Sequence, residues 1–403
     1  MIRLLLISIL FFGIDLYAYQ SIKTLNDNAL IKFLFLGINS AVTILCFYIY
    51  LIKREAFPTS IANIVVGAFI ILSITKLDLV FVLLFEDGAR IIQYFIQKKE
   101  VTHLPSRRKF VSQMALGLAS IPFASLLYGV TKGKYNFQVL KHTLYFDDLP
   151  DAFDGYKITH ISDFHSGSFD DEAKIKYGID LINAQKSDLI AFTGDLVNLR
   201  ASEILPRKTV LSTLKAKDGV ISSLGNHDYG DYVRWNSLEE KEENFAQMIQ
   251  LQKEMGFQLL LNEKTYIRKG KDELAIVGVE NWGKGFIKKG DLNKAIGNPK
   301  QSEFSVVLSH DPTHWEEEII KHEHPLQLTL SGHTHGMQMG IEIPGWIKWS
   351  PIKYRYKRWA GIYKENNKYI NINRGFGFLA FPGRIGIWPE ITVLELKKRK
   401  RDE

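Results

Sequence analysis

Cysteine is nearly absent from this sequence: Cys46 is the single example in 403 residues. No disulfide can close within the chain, and neither a cysteine-based zinc site nor a catalytic thiol can be built. That absence leaves the compartment open, since a protein without disulfides works on either side of a membrane. No internal repeat or low-complexity stretch is visible. Charge is thin over the first 130 positions, which hold most of the long apolar runs, although the chain as a whole carries a formal +7.

Ile2–Tyr19, Leu30–Ile52, Ile61–Ile74, Leu79–Ile96 and Phe110–Val130 are apolar runs of helical length or near it. Glu86, Asp87 and Arg90 interrupt the fourth. Lys76 and Asp78 mark either a tight turn or the middle of one long tilted helix, so the count is four or five spans. These charges could mark a pathway, but their positions fit helix ends and interfaces better. Asp15 and the runs behind it argue that the first segment is a retained helix and not a cleaved signal.

Lys53-Arg54 follow the second run, while Lys98-Lys99 and Arg107-Arg108-Lys109 precede the last. With basic flanks on the cytoplasmic side, five spans satisfy both clusters and four leave Lys53-Arg54 outside. Either count carries the C-terminal part outward, so an inner-membrane protein with an exoplasmic domain is expected. Ser106-Arg107-Arg108-Lys109-Phe110-Val111 resembles a twin-arginine export signal, though it is internal. An ordinary positive-inside flank explains it equally well. The basic tail Lys397-Lys398-Arg399-Lys400-Arg401 suits anionic lipid or plain solvation, and no nucleic-acid partner is expected.

These features divide the chain into a transmembrane region (1–131), a linker with an edge strand (132–155), a soluble domain (156–396) and a tail (397–403). Tyr135–Phe146 reads as the edge strand. Apolar strands then alternate with amphipathic segments at Asp171–Ala184, Ser202–Lys215, Leu238–Met255 and Thr313–Lys321. That alternation predicts a layered α/β domain. Leu274–Val279, Tyr369–Asn373 and Ile391–Leu396 are further strands.

Chemistry gathers at the ends of five strands: Tyr156–Ser162, Asp188–Thr193, Gly219–Leu224, Glu303–Ser309 and Pro325–Ser331. They lead into Asp163-Phe164-His165, Gly194-Asp195, Gly225-Asn226-His227-Asp228, His310 and Gly332-His333-Thr334-His335. Loops at the carboxyl ends of successive strands converge on one crevice. An extended Asp163-Phe164-His165 would send its carboxylate and imidazole to one face. A central carboxylate such as Asp195 can bridge two cations, and the imidazoles suit zinc, manganese or iron. Of 11 histidines, His103, His142, His160, His314, His322 and His324 read as surface or structural.

The five blocks resemble the calcineurin-like metallophosphoesterase superfamily, in its bacterial membrane-anchored branch, over roughly Tyr156 to Leu396. Asn373-Arg374-Gly375-Phe376-Gly377 adds to the likeness. The resemblance implies a four-layer α/β/β/α sandwich behind an all-α transmembrane region. It implies two divalent metal ions (manganese, zinc or iron), one held by Asp163, His165 and His335 and the other by Asn226, His310 and His333. Asp195 would bridge them, and His227 would donate a proton or stabilise the transition state, oriented by Asp228. Asn198 departs from the family, where many relatives carry an acid. The implied activity is hydrolysis of a phosphodiester or phosphomonoester by a hydroxide held between the metals.

The segment Trp346–Tyr363 mixes Trp346, Trp349, Tyr354, Tyr356 and Trp359 with Lys348, Lys353, Arg355, Lys357 and Arg358. Such a mixture suits lipid headgroups, with Trp346, Trp349, Arg355, Arg358 and Trp359 as candidate membrane contacts. A surface loop with scattered aromatics is the competing view. The partners expected are membrane lipids and a phosphoester substrate, itself a phospholipid or glycolipid headgroup. A UDP-2,3-diacylglucosamine-type pyrophosphatase is an alternative, and a transporter or scaffold with a non-catalytic metal-binding domain is another.

Overall fold

The computed structural model describes residues 2–52, 57, 59–97, 105–300 and 302–399. Lys53-Arg54, Lys98-Lys99 and Lys400-Arg401 therefore lie outside the described residues. Met1–Thr131 and Phe381–Gly383 form one compact unit, and Lys132–Ala380 with Arg384–Glu403 forms the other.

The first unit contains α1 (Ile2–Lys23), α2 (Ala29–Ile52), α3 (Thr59–Gln97) and α4 (Pro105–Thr131). Ala29–Leu51, Thr59–Ile96 and Ser106–Tyr135 are long and apolar enough to cross a membrane. The two runs from Ile61 to Ile96 are one continuous helix of 39 residues. Lys76 does not break it, because its ammonium pairs with buried Asp15 of α1. A buried charge is costly alone and tolerable when paired. Lower in α3, Glu86 lies 3.1 Å from Arg90 and 3.7 Å from Arg107. Asp87 lies 3.4 Å from both Arg90 and Arg108 and accepts a 2.6 Å hydrogen bond from Tyr17. The twin arginines of α4 are thus engaged in ion pairs with α3.

Among the described residues, the second unit contains 14 strands. The first seven are β1 (Gln138–Phe146), β2 (Tyr156–Ile161), β3 (Leu189–Thr193), β4 (Val220–Ser223), β5 (Phe257–Leu259), β6 (Glu263–Lys269) and β7 (Asp272–Gly278). Then follow β8 (Ser305–Leu308), β9 (Leu328–Ser331), β10 (Ile341–Ile343), β11 (Ile347–Trp349), β12 (Gly361–Glu365), β13 (Lys368–Ile372) and β14 (Glu390–Lys398). One six-stranded sheet runs β1-β14-β2-β3-β4-β5 and the other β12-β13-β9-β8-β7-β6, while β10 and β11 form a separate hairpin.

Alternation along the strands makes the layers. Ile158, Leu189, Ala191 and Ile221 of the first sheet pack against Leu274, Ile276, Val306, Leu308 and Leu328 of the second. Their neighbours Ile190, Phe192 and Val220 face outward to Ile175, Ile179 and Ile182 of α5 (Glu172–Asn183), and to Met248 and Leu251 of the helix Leu238–Glu254. On the opposite side Val277, Val307 and Ile370 meet Leu292, Trp315 and Ile319. The result is an α/β/β/α sandwich. Each fully buried aliphatic side chain contributes about 1.5–3 kcal/mol relative to exposure. His160 ties the sheets together: its Nε2 lies 2.8 Å from Thr193 Oγ1, and its Nδ1 accepts from Asn371 Nδ2 at 2.8 Å. Burial pushes its imidazole down to about 4, so it stays neutral.

The tail differs from expectation. Lys397 and Lys398 belong to β14, because their register continues opposite Tyr145 and Phe146 of β1. Lys398 Nζ lies 2.5 Å from Asp151 and Arg399 Nη1 3.4 Å from Asp147, so these cations are partnered.

The Asp15–Lys76 pair gives a direct test. Asp15→Leu alone strands a buried cation and is expected to destabilise the helical unit by about 3–5 kcal/mol. The double variant D15L/K76M should regain most of that loss, read as thermal midpoints in detergent.

Candidate metal centre

The five blocks emerge from the ends of β2, β3, β4, β8 and β9. Asp163-Phe164-His165 is not extended: Asp163 and His165 have φ of 53° and 51°. The expected outcome survives by another route. Phe164 still points away, stacked on Phe376 at 5.2 Å and tilted against Phe169 at 5.0 Å, while its neighbours face the site. Asp195, His333 and His335 also take positive φ, at 56°, 71° and 50°. Left-handed backbone at non-glycine residues costs about 1–3 kcal/mol each and persists only where surroundings over-determine it. Two glycines allow the crowding. A Cβ on Gly194, at φ 83°, would strike the backbone of Gly225, and one on Gly332 would strike Ser162 and Asp163.

Two groups of donors result: Asp163, His165 and His335, and Asp195, His310 and His333, with each group's ligand atoms within 4.8 Å of one another. His335 Nε2 is 3.0 Å from His165 Nε2 and 3.2 Å from Asp163 Oδ1. Asp195 Oδ2 lies 3.1 Å from His310 Nε2 and 3.7 Å from His165 Nε2, between the groups. Asn226 Oδ1 and His310 Nε2 stand 2.9 Å and 3.3 Å from His333 Nδ1.

The chemistry of this set fits cations. His310 Nδ1–H donates to the Thr193 carbonyl at 2.6 Å, and His165 Nδ1–H to that of Val197 at 3.2 Å. Their Nε2 lone pairs then point inward, toward carboxylate oxygens that also only accept. Lone pairs converging in a buried space repel unless positive charge sits among them. The electrostatics agree. Burial works to lower the His310 imidazole, yet Asp195 and Asp163 overturn that and raise it to about 10. Burial alone would raise Asp163 and Asp195, but the surrounding imidazoles hold both below the usual carboxylate range. His165 is held well below its ordinary value by burial and by His335.

His227 lies at the rim, its ring 5.1 Å from that of His165 and 4.5 Å from that of Tyr232. The Asn198 main-chain carbonyl accepts from its Nδ1 at 2.7 Å. Asp228 does not orient it. That carboxylate instead accepts from the amides of Gly225 at 2.9 Å, Asp195 at 2.8 Å and Leu196 at 2.8 Å, pinning two site loops to each other. Asn198 makes its contact to His227 through the backbone carbonyl, which needs no acidic side chain. An acid does support this loop: Glu203 accepts from the amides of Gly167, Asn198, Leu199 and Arg200.

Several supporting residues escaped the sequence reasoning. Tyr356 Oη and Asp311 Oδ2 lie 2.9 Å and 3.4 Å from His333 Nε2, so Tyr356 can accept from its Nε2–H, with Asp311 favouring that proton, and Nδ1 is left open. Tyr232 Oη accepts from Asn226 Nδ2 at 2.8 Å, turning the amide oxygen inward. Arg384, fully buried, donates to the carbonyls of Arg374 and Gly377 and lies 3.2 Å from His335 Nδ1. The adjacency of Asp311 to His310 was a usable signal; nothing local marks Tyr232 or Arg384. Of the candidate membrane contacts, Trp346 is 77% and Trp349 36% exposed, and Arg355 is exposed. Trp359 is buried in a cluster with Tyr356 and Ile387, and Arg358 is ion-paired to Glu316 and Glu365, so these two form the segment's base.

Residues 156–337 match the family described as calcineurin-like phosphoesterase, and residues 1–134 match a probable calcineurin-like phosphoesterase transmembrane domain. The chain is 29% identical to the uncharacterized metallophosphoesterase YkuE of Bacillus subtilis, over 72% of this chain and 98% of that protein. It is also 29% identical to phosphodiesterase YaeI of Escherichia coli, over 72% and 99%. UDP-2,3-diacylglucosamine pyrophosphatase LpxG of Chlamydia trachomatis is 26% identical, over 57% of this chain and 81% of that one.

Because Asp228 holds backbone and not His227, Asp228→Ala should remove bound metal and destabilise the domain by about 2–4 kcal/mol, from orphaned amides. Metal analysis and urea unfolding of the metal-free protein read the two effects. Unchanged stability with turnover alone lost would mean that the carboxylate serves His227 after all.

Proposed function

This chain belongs to the calcineurin-like metallophosphoesterases, and on that premise we propose that it hydrolyses a phosphodiester at a two-cation centre. The observation that carries the proposal is the convergence of two donor groups, with Asp195 of one reaching to within 3.7 Å of His165 of the other. Asp163, His165 and His335 would hold one cation, and Asn226, His310 and His333 the other, with Asp195 shared. Divalent cations there would supply an activated water and charge to bind phosphoryl oxygens.

The chain's own residues do the rest. Buried carboxylates and imidazoles, held by their outward hydrogen bonds, fix the geometry without rearrangement during reaction. His227 has Nδ1 committed to Asn198, so the proton it gives to a leaving oxygen comes from Nε2. Tyr232, against the His227 ring and bonded to Asn226, closes the site beside that proton.

His227→Ala should keep its metal content and lose about 10²–10⁴ in turnover of bis-para-nitrophenyl phosphate. Chelation should abolish wild-type turnover and manganese restore it. Metal loss in the variant, or unchanged turnover, refutes the role.

A second reading is a nucleotide-sugar lipid pyrophosphatase, favoured by the similarity to LpxG. The readings differ in topology. Phosphodiester hydrolysis outside the cell needs an exoplasmic domain, which Arg107, Arg108 and Lys109 in the first turns of α4 support. The pyrophosphatase acts on a cytoplasmic substrate. A reporter fused after Glu403 is expected to be active on the exoplasmic side; cytoplasmic activity would favour the pyrophosphatase.

A further inference from the structure

The hairpin of β10 and β11 leaves most of an apolar face exposed. Its register pairs Ile341 with Trp349, Glu342 with Lys348 and Ile343 with Ile347. With a two-residue period, Ile341, Ile343, Ile347 and Trp349 share one face and the two charged residues share the other. The charged residues are nonetheless both partnered, Glu342 half-buried and Lys348 exposed. Glu342 bonds the Arg374 guanidinium, with Nε at 3.0 Å, and Arg374 in turn pairs with buried Glu390. Lys348 donates to the Ala360 carbonyl at 2.5 Å and sits over the Trp359 and Tyr363 rings. The apolar face is left to solvent: Ile341 is 51%, Ile343 42% and Trp346, in the turn, 77% exposed.

A two-stranded ribbon is not stable alone, and this one is held by its charged face. Its apolar face therefore contributes nothing to the domain's own core, and a contiguous exposed apolar patch marks a contact surface. The adjoining segment carries exposed Lys353, Tyr354, Arg355 and Lys357. A second copy of the chain would bring those cations against their like. An anionic bilayer complements them, and aromatic side chains with basic neighbours suit the headgroup layer. The chain also carries helices apolar enough to lie in a bilayer.

We propose that the Ile341–Trp349 hairpin docks on an anionic lipid surface, seating Trp346, Ile341 and Ile343 at the headgroup boundary. The hairpin is bonded directly to the metal-centre loop. Ser350 Oγ, just after β11, donates to the carbonyl of Gly336 at 2.7 Å, and Gly336 follows His335. Tyr356, further along the same segment, touches His333. Docking would therefore present a membrane-held phosphoester to the site; this substrate class rests on the phosphoesterase proposal, whereas the docking does not.

The test uses the full chain in nanodiscs. Cys46→Ser removes the native thiol, and an environment-sensitive dye is placed at Trp346→Cys, with Ile343→Cys as a second position and exposed Tyr177→Cys as control. Discs of phosphatidylcholine with phosphatidylglycerol carry a nitroxide lipid labelled near the headgroup. Expected is a blue-shifted emission at 346 and 343, quenched several-fold more than at 177. Charge reversal at Lys353, Arg355 and Lys357 should weaken that quenching. Emission and quenching equal to the control overturn docking, and energy transfer between labels on two copies, without lipid quenching, assigns the face to self-association. Turnover of the soluble diester on the same samples reads the metal centre alone. Its loss with quenching retained would defeat the phosphoesterase proposal and not the docking.

Discussion

One constraint governs the second unit: acceptors are forced together. Asp163, Asp195 and the inward nitrogens of His165, His310, His333 and His335 offer lone pairs into a shared buried space. Such a cluster is unfavourable on its own and has to be held by everything around it. His165, His310 and His333 donate their other nitrogen outward, to the carbonyls of Val197 and Thr193 or toward Tyr356, while His335 turns Nδ1 to the Arg384 guanidinium. Each outward bond decides which lone pair remains for a cation.

The same load explains the backbone. Five of the clustered residues sit in left-handed conformations, at the turn after β2, β3 or β9. They stay there because loops lock loops. Asp228 grips the Asp195 turn, Glu203 grips the Asn198 turn, and the Asp163 carboxylate accepts from the His333 amide. Behind them Phe164, Phe169 and Phe376 fill the space where a softer core would let the turns relax. Two sheets packed through Ile276, Val306, Leu328 and their partners supply the rigid base.

Charge is treated alike in the first unit. Asp15 with Lys76, and Glu86 and Asp87 with Arg107 and Arg108, are buried or half-buried pairs between helices, and Arg90 adds pairs within α3. In an apolar medium such pairs set which faces meet, because a slip leaves a charge unanswered. The β10–β11 hairpin is anchored in the same way, through Glu342 to Arg374 and Lys348 to the Ala360 carbonyl, with its apolar face left over.

Much of this was legible in the sequence by itself. Strand ends followed by Asp-x-His, Gly-Asp, Gly-Asn-His-Asp and Gly-His-Thr-His locate the site, since strand periodicity and loop convergence are local rules with one geometric consequence. The apolar runs likewise mark the helices. Only the tertiary structure decided that Asp163 and His165 reach the site through left-handed turns, and that Asp228 serves backbone amides while Asn198 holds His227. It also decided that Ile61 to Ile96 is one helix, that Arg358 and Trp359 lie in a packed base, and that the hairpin faces outward. The reason is common to all. Side-chain partners from positions far apart in the chain set these features, and no local spacing encodes which distant group arrives.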